Sequence, residues 1–413
     1  MRPAETSELM LRCPPTAGAG VVRLIPVFLV CMAACKVDTD PKGGSTSVGD
    51  SQTSGEGDSG ASSEATGESG HCPDDGCLDL ENADTGGTDD CGMETGSCEC
   101  EAPQHTPCDH GEANLLYALG LNCEGETQYE VESWGSSAAF GTLTTFGNTD
   151  AFAPREGSRY AVIGSGRVAD LPQTTGSVPD VYDLCSSDLG PFDPQLMLPM
   201  PIVALDVGPV TCADDPSLVG TGDCSNTLQR QFEPPGASGV VAANDYTELR
   251  FSTTVPPGVT SFSYDFAFMS FEYPGFWMSN FNDMYIGWLE SEGWTGNISF
   301  DDNGNPITVN AGFMDYLDAD TSASHPITGE ELPHPDCPIG ANCTAPELHG
   351  TCMQGHGATR WLTTTAGVSP GESITVVFAV MDLNDSILDS YAFLDNFQWG
   401  CAGGYPPKTI PID

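Results

Sequence analysis

The sequence predicts an all-β protein: a two-sheet antiparallel sandwich, jelly-roll-like, with a loop-rich N-terminal part and a disordered tether before it. Three observations carry this expectation. Phe262, Tyr264, Phe266 and Phe268 alternate with Ser261, Ser263, Asp265 and Ala267, the period-two pattern of a strand. Turn chemistry punctuates such runs, with Pro256-Pro257-Gly258 and Pro370-Gly371-Glu372 each placed just before one. Finally, 48 Gly and 32 Pro in 413 residues favour turns over long helices.

Taken in order, residues 1–34 read as a signal peptide. Val21 to Ala34 is the strongly apolar run, with Arg12 and Arg23 before it or at its start. It is shorter than the ~20 residues a transmembrane helix needs and fits the apolar region of a secretory signal. It ends in Met32-Ala33-Ala34-Cys35, which resembles the bacterial lipobox, although Met32 stands where Leu is usual. That resemblance implies lipid attachment at Cys35. Residues 35–107 then form the anchor and tether. They are Gly, Ser, Thr, Asp and Glu with almost no aliphatic side chains, too few to offset chain entropy by burial.

Aromatic residues begin to recur from Cys108. Residues 108–240 read as the loop-rich part of a globular domain, with one helix expected over Glu112 to Leu121 and a short strand over Tyr160 to Ile163. Residues 241–402 form the sandwich proper, and 403–413 a tail. Within the sandwich, Met284, Ile286 and Trp288 alternate with their neighbours. Tyr391, Phe393, Phe397 and Trp399 share one parity. Ile374 to Met381 is apolar on both faces, so a central strand is expected there.

Charge and cysteine content bound the function. Against 12 Lys and Arg stand 59 Asp and Glu, a formal net charge of -47, which excludes nucleic acid as a partner. The 17 cysteines indicate an oxidising compartment. With Cys13, Cys31 and Cys35 set aside, an even fourteen remain to pair. Five lie at 72–100. Nine lie beyond: Cys108, Cys123, Cys185, Cys212, Cys224, Cys337, Cys343, Cys352 and Cys401. Both subsets are odd, so complete pairing needs at least one bridge between them. The sequence does not give the pairing.

A set of segments in the C-terminal half carries a resemblance. It comprises Ser263-Tyr264-Asp265-Phe266-Ala267-Phe268-Met269-Ser270, Glu272-Tyr273-Pro274, Phe281-Asn282-Asp283, and Gly296-Asn297-Ile298-Ser299-Phe300-Asp301. It continues through Asn310-Ala311-Gly312-Phe313, Trp361-Leu362-Thr363-Thr364 and the Asp382 to Trp399 stretch. In order and spacing these resemble the choice-of-anchor L domain of bacterial surface proteins, over roughly residues 240–400. The resemblance implies surface attachment, here through Cys35, and no particular reaction.

Several candidate sites follow from side-chain chemistry. Asp382, Asn384, Asp385, Asp389 and Asp395 crowd two strand ends, and Asp283, with Asn282 and Glu272, follows another. Such Asp and Asn oxygens suit Ca²⁺, which takes six to eight hard ligands; the plain alternative is turn chemistry. Asp301-Asp302-Asn303-Gly304-Asn305 is most simply a hairpin turn. A zinc site built from His325, His334, His349 and His356 with nearby cysteines competes with a disulfide-stapled loop, the better reading. No G-x-S-x-G elbow or P-loop occurs. Trp277, Trp288, Trp294, Trp361 and Trp399 suit either sugar stacking or a core.

The expectation is an exported lipoprotein, held to the membrane by its lipid at the outer membrane or cell surface. Its role would be non-enzymatic display or adhesion, with a glycan or surface protein as ligand. The alternatives are a Ca²⁺-dependent carbohydrate-binding module and an extracellular hydrolase with an unrecognised carboxylate site.

Overall fold

A computed structural model describes residues 100–173, 185–189, 198–203, 212, 215–221, 224–228, 242–277, 279–317, 345–403 and 406–412. Cys35, the tether before Cys100, and the insert carrying Cys337 and Cys343 lie outside the described residues. The described chain is almost entirely β. Its strands are β1 (Val131–Trp134), β2 (Phe140–Leu143), β3 (Tyr160–Gly164), β4 (Ala243–Thr254), β5 (Ser261–Ser270), β6 (Met284–Glu290) and β7 (Thr295–Asn297). They continue as β8 (Ile307–Thr308), β9 (Met314–Leu317), β10 (Gly357–Thr359), β11 (Leu362–Gly367), β12 (Ser373–Leu383), β13 (Ser390–Gly400) and β14 (Lys408–Pro411).

These strands form two antiparallel sheets. One runs β1-β4-β12-β6-β7, with β8 also on β6; the other runs β14-β11-β5-β13-β3-β2, with β9 and β10 attached beside β5. β12 is the middle strand of its path, as its apolar run required. Phe262, Tyr264, Phe266 and Phe268 of β5 face Leu249, Phe251, Val376, Phe378 and Val380 of the opposite sheet, and this interlayer packing is the main core. Gly287 on β6 serves the core directly: a Cβ there would collide with the Tyr264 hydroxyl.

Neither outer face of these central strands is left bare. Met284, Ile286, Trp288, Val377, Ala379 and Met381 point away from the interlayer core and pack with Ile202 and Leu228. On the other sheet, Tyr160, Val162, Met269, Tyr391 and Phe393 are covered by Phe146, Phe152, Leu348 and Met353. The segment before β4 and the loop after β9 thus supply outer layers, so strands such as β3 are buried at every position.

Two expectations change. The helix is α1, Leu115–Leu119 alone. Asn114 caps its start by accepting from the amides of Leu116 and Tyr117, and Gly120 ends it in the left-handed region at φ 91. The shared parity of Tyr391, Phe393, Phe397 and Trp399 does not put them on one face. Tyr391 and Phe393 pack outward, whereas Phe397 lies in the interlayer core with Trp399 against it. The ladder between β13 and β5 shifts register between Asp395 and Gln398, and Asn396 there has φ 57. This β-bulge adds one residue and reverses the alternation.

Four disulfides fasten the described residues: Cys100–Cys401, Cys108–Cys123, Cys185–Cys352 and Cys212–Cys224. Cys100–Cys401 is a bridge between the two cysteine subsets, as their odd counts demanded. Cys100 and Cys352 are therefore oxidised and are not available as thiolate metal ligands.

Candidate functional site: a buried acidic cluster at one end of the sandwich

Antiparallel pairing brings four strand ends together. β5 ends beside the start of β13, with Ser270 opposite Ser390. β12 ends beside the start of β6, with Met381 opposite Met284. The acids flanking these ends are Glu272, Asp283, Asp382 and Asp389, and they are 1%, 0%, 0% and 0% exposed. A segment of this composition would normally keep its carboxylates in water, since burying an unpaired charge is costly.

Asp283 is the hub. Its Oδ1 accepts from the Leu383 amide at 3.0 Å, and its Oδ2 accepts from the Ser390 hydroxyl at 2.7 Å. It therefore joins the end of β12 in one sheet to the start of β13 in the other. The Asp283 amide in turn donates to Glu272 Oε2 at 3.3 Å. Asp389 accepts from the Ser187 amide and hydroxyl and from the Tyr391 hydroxyl, at 2.9, 3.1 and 2.9 Å.

Asp382 differs. Among the described residues no donor completes a hydrogen bond to either of its carboxylate oxygens. The Ser165 hydroxyl is near enough to moderate its pKa, but that hydroxyl donates to the Ser390 carbonyl. Asp245 acts on Asp382 as well. It sits at a second β-bulge, where β4 and β12 shift register between Val380 and Asp382, and its φ of 45 lies in the left-handed region. That conformation re-aims a side chain that regular alternation would place elsewhere.

Electrostatics follow the geometry. Burial pushes the Asp283 carboxyl up to about 7, partly offset by its Ser390 and Leu383 hydrogen bonds. Burial likewise raises Asp389 to about 7. Glu272 and Asp382 lie well above the usual carboxylate range, first through burial and then through the negative charge of Asp283. None of the ion pairs among the described residues involves these four acids.

The other expected ligands divide. Asp385 is half-buried, accepts from the Ile387 amide, and adds its charge to Glu272. Asn384 is exposed and holds a left-handed turn at φ 80. Asn282 accepts from the Asn310 amide instead. Asp395 does not join the cluster. It sits six residues beyond Asp389, about 20 Å along β13, where it accepts from the amides of Arg155, Glu156 and Asn396. Asp301 is a turn residue that accepts from the amides of Asn303, Asn305 and Gly312.

The cluster is not a closed cage. Among the described residues, the His, Cys and carboxylate trio with ligand atoms all within 4.8 Å is His105, Cys123 and Glu126. Cys123 is bonded to Cys108, so that trio lacks a thiolate. His105 instead bridges two acids, Glu126 at 3.0 Å and Glu156 at 2.8 Å, beside a cleft of about 230 Å³ with Tyr129, Phe397 and Trp399 in its walls. Sequence reasoning missed this trio, because the three residues are spread along the chain with no shared motif. Of the five tryptophans considered for sugar stacking, Trp288, Trp294 and Trp361 are buried, and Trp277 and Trp399 pack against the core. The exposed one is the sixth, Trp134, at 46% on edge strand β1.

Residues 219–398 match the family model described as the Choice-of-anchor L domain. No curated protein and no solved structure matches the chain. The matched stretch holds both sheet centres and the whole Glu272–Asp283–Asp382–Asp389 cluster. β1, β2, β3 and β14 lie outside it, and β1, β2 and β14 occupy the ends of the two strand orders. Residues 219–398 thus form a choice-of-anchor L domain in a surface-associated β-sandwich, and strands outside the match cap sheet edges that would otherwise invite pairing.

Proposed function

We propose that this choice-of-anchor L protein is a lipoprotein, acylated on Cys35, that displays its sandwich at the cell surface in a non-enzymatic adhesive role. The observation that carries the reading is the disulfide framework. Every described cysteine is paired, and Cys100–Cys401 fastens the point where the tether meets the domain to the end of β13. Such a framework persists in an exported protein and would be reduced in the cytosol. The acidic Gly/Ser/Thr composition of residues 36–99 suits a spacer between anchor and domain. Covered outer faces and strongly buried carboxylates also fit display better than turnover. Among the described residues no helix is long and apolar enough to cross a membrane.

Cell fractionation of the native protein and Cys35→Ala tests the anchor. The native chain should partition with membranes and be cleaved by protease added to intact cells. Cys35→Ala should be released or remain an unprocessed precursor. Unchanged processing and membrane partition of the variant would refute lipid anchoring. Binding of the purified domain to cells and to a glycan array tests adhesion, and hydrolysis of an arrayed glycan would replace it with the hydrolase reading.

A further inference from the structure

The acidic cluster does more than end four strands. Asp382 is 0% exposed, and among the described residues neither oxygen meets a donor. Ser165 moderates it, but its charged neighbours Asp283, Asp389 and Asp245 are all acids. An uncompensated buried carboxylate is strongly destabilising, so a native protein supplies it with a proton or a cation. The chemistry favours the cation. A proton shared between Asp382 and Asp283 cancels one charge and leaves Asp245 and Asp389 facing the pair. A divalent ion cancels two and accepts further oxygen donors.

We propose that Asp382, Asp283 and Asp245 hold a Ca²⁺ ion that staples the two sheets at this end of the sandwich. The donor set is entirely oxygen, which selects a hard cation over zinc or copper. Full burial selects Ca²⁺ over Mg²⁺, which gives up its waters reluctantly and demands octahedral geometry. Asp283 already bonds to both sheets through Leu383 and Ser390, so an ion seated on it is held by both layers. The carboxylate oxygens of Asp382, Asp283 and Asp245 do not all lie within 4.8 Å of one another. Asp382 is the side chain free to close that gap, because it has no hydrogen bond to break. Asp389 stays outside the set, its oxygens being taken by Ser187 and Tyr391. Such an ion site is independent of the lipid anchor and of any adhesive role.

The test uses the full mature chain, stripped with chelator, desalted, and titrated with Ca²⁺ or Mg²⁺. Metal content after a second desalting should be one Ca²⁺ per chain. The melting temperature should rise by about 4 °C at a hundredfold excess of Ca²⁺ over Kd, and by less with Mg²⁺. Asp382→Asn should retain no Ca²⁺ and show no rise, while weak binding by the acidic tether persists equally in both proteins. Should Asp382→Asn fail to fold, Asp245→Asn is read in the same way. A native protein that retains no Ca²⁺ and melts identically in chelator and in Ca²⁺ overturns the proposal in favour of a shared proton. Retention and response unchanged by either substitution place the ion elsewhere and overturn it equally.

Discussion

The Cys100–Cys401 bridge should stabilise the domain more than the short Cys108–Cys123 bridge does, and comparing the removal of each tests how this domain is held. It spans 301 residues, against 15 for Cys108–Cys123. A bridge stabilises chiefly by restricting the unfolded chain, and the restriction grows with the logarithm of the loop. Cys185–Cys352, with a separation of 167, lies inside the larger loop. With Cys108–Cys123 also inside it, the loop shortens to an effective length of about 119 residues, for which chain entropy gives about 5 kcal/mol, against about 3 kcal/mol for the short bridge. With unfolding entropy of about 2.1 cal/mol/K per residue over roughly 310 residues, the two losses lower Tm by about 8 and about 5 °C.

The folded state is equipped to survive the loss. Thr260 donates its amide to the Gly400 carbonyl, and the Ala402 amide donates to the Ser261 hydroxyl at 3.0 Å. These bonds keep the end of β13 in place, so the double variant Cys100→Ser/Cys401→Ser should fold with native circular dichroism. Scanning calorimetry of both double variants, without reductant, reads the two shifts. A loss for Cys100/Cys401 no larger than that for Cys108/Cys123 would refute the loop-entropy reasoning and point to contacts made by the bridges in the folded state.

Two further outcomes follow from buried polar chemistry. Hydrogen bonds from His105 to Glu156 and Glu126 raise its pKa above the ordinary 6.5. Its stabilising contribution is therefore complete below 6.5 and is lost as pH rises through the higher folded value. The cost of His105→Gln, read by denaturant unfolding, should be greater at pH 6 than at pH 9; a cost independent of pH would show that His105 acts through packing alone. Asp395, raised by burial to about 8 and close to Glu156, loses stability over the same range, so the readout is the difference between variant and native protein. Separately, Tyr264, Ser299, Thr364 and Thr409 form a buried hydroxyl chain with links of 2.6, 3.0 and 2.8 Å. Thr364→Val breaks two links and should cost about 1–3 kcal/mol, whereas Thr364→Ser should restore most of it; equal urea midpoints for the two variants would contradict this.

What the sequence made legible depended on whether a signal was local. β5, β6 and β12 were readable because strand alternation is a period-two property of neighbouring residues, and the double apolar face of β12 placed it centrally. β13 was readable as a strand, but not in its facing. Asn396, at φ 57, inserts a bulge that no propensity scale reports, and everything beyond it changes side. The helix shrank because Asn114 and Gly120 bound it more tightly than the leucine stripe suggested. The acidic cluster was half visible for the same reason. Asp283, Asp382 and Asp389 stand at strand ends, where turn-rich sequence draws the eye, yet their convergence depends on the pairing of β5 with β13 and of β6 with β12. Asp245 lay hidden in a stretch, β4, for which no strand was expected from the sequence. It sits at a left-handed bulge from which its charge reaches Asp382, and a bulge is a property of two strands together rather than of either one. Ligands in relatives of this domain should be sought on the same basis. Asp245, Asp283 and Asp382 all lie within residues 219–398, but the third acid of such a site would be recognised by the register shift opposite it, not by its sequence neighbours.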